Sequence, residues 1–255
     1  MTLNESIEIM TDEIVSILSD NKPTIYLYGS AALDDFKLGW SDIDIIVLNE
    51  EELTAQQADY LVGFRQTMLK HYPGNSYFRL FEGAMLSVDA LLNGKTERIV
   101  YWGTSGQRIV DTYSLDSFAI AEILDSGILL FGNDIRDKFS YPTHEQFKAD
   151  IHRHLITIRE HGTDGWGWLL DIARGIYTIQ TGKVIAKTLA GEWALEKEVC
   201  PVMESLKRAV EVRKFPLKYK NLEEYQNYAK HTGDDIQQFA DVLEKEIMLQ
   251  KQSFF

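Results

Sequence analysis

Two aspartates one residue apart, Asp42-Ile43-Asp44, open the apolar run IDIIVL at 43–48. Residues two apart on a strand project to the same face. Carboxylates held this close repel each other unless a cation sits between them. Hard oxygen ligands of that kind suit Mg2+, which also takes nucleotide phosphates. Upstream, Gly29-Ser30 breaks the β-branched and aromatic run TIYLY at 24–28. A tight turn there presents backbone N–H groups to a phosphate, and Ser30 and Ser41 add hydroxyl donors. A strand, a glycine-serine turn and then paired acids on the next strand point to metal-assisted chemistry on a nucleotide. By itself, an Asp-x-Asp pair is more often a turn, a cap or a solvated strand edge.

These residues need strands to hold them, and the first half of the chain supplies the pattern. Apolar residues Ile7, Met10, Ile14, Ile17 and Leu18 recur at helical spacing, predicting a helix over 4–19. Strands are expected at 24–28 and 43–48. A helix is expected at 52–71, ending at Pro73-Gly74. The stretch 77–92 reads as strand in parts, bent or interrupted at Gly83, and 97–101 as another short strand. A helix over 115–126 is followed by Gly127 as its C-cap. Beyond Pro142 the pattern turns helical, at 145–160, 166–181, 186–198, 201–214 and 221–249. The fold class expected is an α/β domain with a mixed sheet over 1–141, followed by an all-α helical bundle over 142–255.

Charge follows the same division. The 255 residues hold 39 Asp and Glu against 26 Lys and Arg, a formal net charge of -13. Residues 1–141 carry 22 acids and 10 bases, whereas 142–255 carry 17 and 16. So acidic a chain is repelled by phosphate backbones, so nucleic acid is not the expected partner; a cationic small molecule is. Cys200 is the only cysteine, which excludes an internal disulfide and a cysteine-rich metal site. Residues 1–20 hold five acids and no base, unlike a secretory leader. No apolar run reaches the roughly 18 residues that span a bilayer. A cytoplasmic protein without membrane partners is expected. The sequence leaves its oligomeric state open.

The YGSAALDDFKLGWSDIDIIV segment at 28–47 resembles the nucleotidyltransferase superfamily related to DNA polymerase β. More closely, it resembles the aminoglycoside adenylyltransferases that modify spectinomycin and streptomycin, whose opening motif has the form YGSA…SDIDLLV. The likeness continues in IYTIQTGKVIAKTLAGEWAL at 176–195, against that family's TG(K/E) and A(A)(D/E)WA segments, and more loosely at 115–134. It implies ATP as substrate, Mg2+ on Asp42 and Asp44, and triphosphate over Gly29, Ser30 and Ser41. It also implies a third carboxylate on a later strand, as metal ligand or general base. Glu82 and Asp89 compete for that place; Asp89 is favoured because it lies within the apolar run 86–92. In the second half the resemblance assigns Arg208 to the triphosphate and Glu192 to the acceptor; Lys218, Lys220 and Lys230 are alternatives to Arg208. Trp102, in Tyr101-Trp102-Gly103, is taken to line the acceptor side. Streptomycin-selective members carry an Asp four residues before the Glu192 position, where this chain has Thr188. The reaction implied is AMP transfer from ATP to a hydroxyl of an aminoglycoside or aminocyclitol, releasing pyrophosphate. Two alternatives stay open. One is nucleotidyl transfer to another small molecule, such as a lincosamide, or to a protein hydroxyl. The other is a binding protein without catalysis, for which Asp42→Ala would leave function intact.

Overall fold

The apolar runs of the first half pair into one sheet. The structure, a computed structural model, describes residues 1–103 and 106–249. Strands β1 (Thr24–Tyr28), β2 (Ile43–Asn49), β3 (Phe81–Ser87), β4 (Ile99–Gly103), β5 (Gly106–Val110) and β6 (Ile128–Phe131) form a six-stranded sheet in the order β5-β4-β3-β2-β1-β6. Only β2 and β3 run parallel; the other pairs are antiparallel. The sheet is therefore mixed, as expected for the first half of the chain.

Alternation sorts the strand residues by face. Tyr26, Tyr28, Ile46, Leu48, Ala84 and Leu86 gather in one buried cluster with Ile123. Ile123 belongs to α5 (Ser117–Asp125). Helices α1 (Leu3–Ile17) and α3 (Ala55–His71) also belong to this part of the chain, and each begins with a reciprocal capping box, on Thr2 and Thr54. Trp102 points away from the Tyr26 cluster. It is fully buried, stacks near Phe64, and donates its indole N–H to the Leu61 carbonyl of α3 at 3.0 Å. The expectation that Trp102 lines an acceptor site is corrected: an aromatic residue at alternate strand spacing is here core.

The expected strand over 77–92 is also corrected. It ends at Ser87, and α4 (Val88–Asn93) follows. Ser87 caps this helix by accepting the Ala90 N–H at 3.0 Å. The buried Glu97 carboxylate accepts both the Ser87 N–H and its hydroxyl, each at 2.7 Å. That anchored cap outweighs the strand-like composition of 86–92.

The chain divides into two compact units. The first is Met1–Ala32 with Asp42–Tyr141; the second is Leu33–Ser41 with Pro142–Phe255. The first includes the short α2 (Gly29–Ala32). The second contains α6 (His144–His161), α7 (Gly167–Thr181), α8 (Lys187–Glu196), α9 (Met203–Lys214), α10 (Pro216–Tyr219), α11 (Glu223–Ala229) and α12 (Gly233–Leu249). Their buried faces are apolar, with Ile151, Leu155, Leu170, Ile176, Leu206 and Phe239 at the core. The single helix expected over 221–249 is two. Thr232 separates them, and its hydroxyl is shared between the Gly165 and Ala229 carbonyls. Among the described residues, no helix is long and apolar enough to cross a membrane.

Candidate active site

At one end of the central strands, three polar positions stand side by side. Tyr28 of β1 pairs with Asp44 of β2, and Asp44 pairs with Glu82 of β3. Residues directly opposite on neighbouring strands share a face. Asp42, two residues before Asp44, bears on the same place, and its charge acts on Glu82. Burial first, and then the Asp42 carboxylate, push the Glu82 carboxyl up to about 7, against the opposing pull of Arg65.

The glycine-serine turn lies against Asp44. Gly29 follows β1 directly and takes a φ of +66°, a left-handed conformation that favours glycine. A Cβ on Gly29 would stand 2.1 Å from Oδ2 of Asp44. The carboxylate thus fills the space that any side chain at position 29 would need. Beside Gly29, the Ser30 hydroxyl is buried without a hydrogen-bond partner. A buried hydroxyl left in that state is unfavourable unless something supplies its bond. The orphan hydroxyl and the adjacent hard oxygen donors fit a divalent cation that arrives with a phosphate group. Mg2+ commonly uses one or two protein carboxylates plus substrate phosphates. Among the described residues, no group of three His, Cys, Asp or Glu residues could hold a metal ion.

Arg65 braces this edge from α3. It is buried and donates to the Phe81 carbonyl at 2.6 Å and to the Gly103 carbonyl at 3.2 Å. Those carbonyls flank Glu82 in sequence and across the sheet. Tyr28 and Tyr113 share a hydrogen bond near Asp44, and burial raises the hydroxyl pKa of both. Sequence reading missed Arg65 and Tyr113, since neither stands in a motif.

The structure does not bring Asp89 to this group. Asp89 lies in the first turn of α4, exposed, accepting the Asn93 side-chain amide at 2.7 Å. The choice of Asp89 over Glu82 is therefore corrected. A Ser followed two residues later by an Asp is a helix-start signal, and Ser87-Val88-Asp89 carries it.

The remaining expected residues lie in the second unit. Ser41 is buried, and its oxygen accepts the Lys37 N–H at 3.0 Å. Arg208 bonds Glu204 and Glu224, each at 2.9 Å, and lies over the Tyr228 ring at 4.5 Å. Lys230 is exposed at the end of α11. Glu192 of α8 pairs with Lys214.

Residues 11–77 match the family model described as nucleotidyltransferase domain. That span includes Gly29, Ser30, Asp42 and Asp44. Over that span the chain is similar to nucleotidyltransferase domains. No curated protein sequence matches the chain. Among solved structures it is similar to spectinomycin adenyltransferase AAD(9) from Enterococcus faecialis, crystallised with ATP and spectinomycin. The two share 16% identity with a TM-score of 0.65, over 96% of this chain and 100% of the other. At that identity, the likeness is one of fold. It extends past the matched nucleotidyltransferase segment into the helical unit.

Proposed function

We propose that this protein transfers AMP from ATP to a hydroxyl of a cationic aminocyclitol or aminoglycoside of the spectinomycin class, with release of pyrophosphate. The observation that carries the reading is the seat of the Asp44 carboxylate against Gly29, with Glu82 in register beside it. The turn that would receive triphosphate and the acids that would receive its metal thereby form one surface.

The residues divide the work. The Gly29-Ser30 turn binds phosphate oxygens, and the Ser30 hydroxyl gains the partner it lacks. Asp42 and Asp44 hold Mg2+, which when bound neutralises charge on the phosphate oxygens. The acceptor oxygen forms its bond to the α-phosphorus as the α–β bridging P–O bond breaks, and pyrophosphate departs. Glu82, already driven toward neutrality in its proton affinity, takes the hydroxyl proton. Arg65 keeps Glu82 in place through the backbone on either side of it. Tyr101 shares a face with Ala84, next along the strand face from Glu82, and offers an aromatic surface to the acceptor.

The acceptor class rests on charge and on the fold relative. A net charge of -13 attracts polycations. Thr188 stands where streptomycin-selective relatives carry an acid. It is buried here and bonded to Asp35, which favours a spectinomycin-type acceptor over streptomycin. The test is pyrophosphate release over a panel of nucleoside triphosphates and of spectinomycin, streptomycin and a lincosamide, with Mg2+ and with chelator. Release with ATP, Mg2+ and spectinomycin is expected, and Gly29→Ala should lower it about a hundredfold by displacing Asp44. Release with none of the acceptors would remove the substrate assignment. Release undiminished by chelator would remove the metal.

A further inference from the structure

The nine residues 33–41 join the end of the glycine-serine turn to Asp42, yet they group with the helical unit and not with the sheet. Their hold is built from buried charge. Asp35 is 5% exposed and accepts the Thr188 hydroxyl at 2.7 Å and the Thr188 N–H at 3.3 Å, at the start of α8. Arg213 of α9 is 3% exposed and donates from Nη2 to the Asp35 carboxylate and to its backbone carbonyl, both at 3.1 Å. The same guanidinium lies 5.7 Å from the centre of the Trp40 ring. Lys37 adds a looser ion pair to Asp35 at 3.7 Å. Farther along, Lys220 donates to the Gly39 carbonyl at 2.8 Å. Gly39 has a φ of +89°, and a Cβ there would stand 3.0 Å from Leu217. One arginine therefore grips residues 35 and 40, and Lys220 grips residue 39.

A buried ion pair is a poor source of stability, because apolar residues of the same volume often do as well or better. What it supplies is directional fixation: Nη2 of Arg213 holds both the carboxylate and the carbonyl of Asp35 while the planar group lies near the Trp40 ring, an arrangement that a lysine ammonium does not reproduce. Resting on the nucleotidyl-transfer reading above, we infer that Asp35, Arg213 and Thr188 are positioning residues. They clamp the 33–41 strap so that Ser30 on one side and Asp42 on the other are fixed relative to the same nucleotide. None of the three touches the reacting atoms; they act through the chain that connects the phosphate turn to the metal-binding acids.

The test compares Arg213→Lys, Asp35→Asn, Thr188→Ser, Thr188→Val and the surface change Lys220→Met in the full chain. Four readouts are taken: kcat and KM for ATP, binding of Mn2+ as metal probe, Tm, and amide hydrogen exchange at 29–32 and 42–46. Arg213→Lys and Asp35→Asn should lower kcat and weaken Mn2+ binding by about tenfold to a hundredfold, the range of supporting residues around a metal. Exchange at 42–46 should quicken. Thr188→Ser should keep wild-type kcat while Thr188→Val does not. Lys220→Met should move kcat in the same direction with an unchanged Tm, and it carries the test if a buried variant fails to fold. Unchanged kcat and Mn2+ binding in folded variants would overturn the clamp, as would losses that only follow Tm. If the wild type releases no pyrophosphate with any nucleotide, the proposed function fails separately. Exchange at 42–46 then decides the clamp: quickened by Arg213→Lys it stands, unchanged it falls.

Discussion

The strand edge at Asp42, Asp44 and Glu82, half-buried, and the clamp at Asp35 and Arg213, buried, both gather charge, but they resolve it differently. At the clamp, the carboxylate meets a guanidinium, a hydroxyl and an N–H in bonding geometry. At the strand edge, like charges share a face and the Glu82 carboxyl is driven up to about 7. Internally balanced charge serves architecture. Charge that is uphill in the protein alone indicates a counter-charge brought by a ligand. Function belongs to the strand edge on this argument, and substitutions should separate the two regions by what they damage.

The largest effect is expected from Asp44→Asn. Removing a carboxylate that would hold the charge-neutralising Mg2+ should lower nucleotidyl transfer by about a thousandfold. Tm is read beside kcat, to separate lost chemistry from lost fold. A kcat within tenfold of wild type would move the chemistry away from this edge.

Next is the contrast between two carboxylates. Glu82→Gln should reduce kcat by about a hundredfold, the scale of a lost general base. Asp89→Asn should leave kcat unchanged and shift stability by less than about 0.5 kcal/mol, as for an exposed polar substitution. Steady-state kinetics and thermal melts on the pair check this. The opposite ranking would restore Asp89.

The contrast also marks how far the sequence could be read. TIYLY and IDIIVL declared themselves as strands because their residues are buried and β-branched, and β1 lies at 24–28 as expected. Gly29, Ser30, Asp42 and Asp44 were legible because all four stand within two short motifs on adjacent strands. Glu82 was legible only as the lesser candidate beside Asp89, because its role depends on register: the parallel pairing of β2 with β3 sets it beside Asp44, and nothing local records that pairing. Trp102 and Tyr101 show the same limit, since one step along a strand exchanges core for site face. Strands β5 and β6 escaped because they are short and partly exposed, with little apolar pattern of their own. Arg65 and Arg213 act through backbone carbonyls and a distant carboxylate, contacts that only tertiary structure creates.

A smaller effect lies in the stability of the metal-free protein. Glu82 holds its proton in the folded state up to about 7, while the unfolded chain releases it near the ordinary value of 4.5. Its contribution is therefore fully present below the unfolded value and is lost as pH rises through the folded one. Between about pH 5 and about pH 8 the metal-free wild type should lose Tm relative to Glu82→Gln. Added Mg2+ with ATP should restore more Tm at the higher pH, where the ionised Glu82 adds negative charge beside the acids that would hold the metal. A wild-type curve parallel to that of Glu82→Gln would mean the carboxyl titrates alike in both states, and the electrostatic distinction drawn for the strand edge would lose its main support.

The smallest effect is expected at Arg208, which the family resemblance assigns to the triphosphate. In the fold its guanidinium lies between Glu204 and Glu224 and over the rings of Tyr228 and Tyr225. By the criterion above it is balanced, and a triphosphate would have to displace two carboxylates to use it. Arg208→Met should therefore leave KM for ATP within about twofold and cost about 1 kcal/mol or less, the scale of a partly exposed ion pair. In a chain of this size that is a fall in Tm of about 2–4 °C. A tenfold rise in KM for ATP without loss of Tm would show that the arginine leaves its glutamates for the nucleotide. Balanced charge in the helical unit would then be a resting arrangement, and the line between architecture and function would have to be drawn by exchange with ligand instead of by pairing.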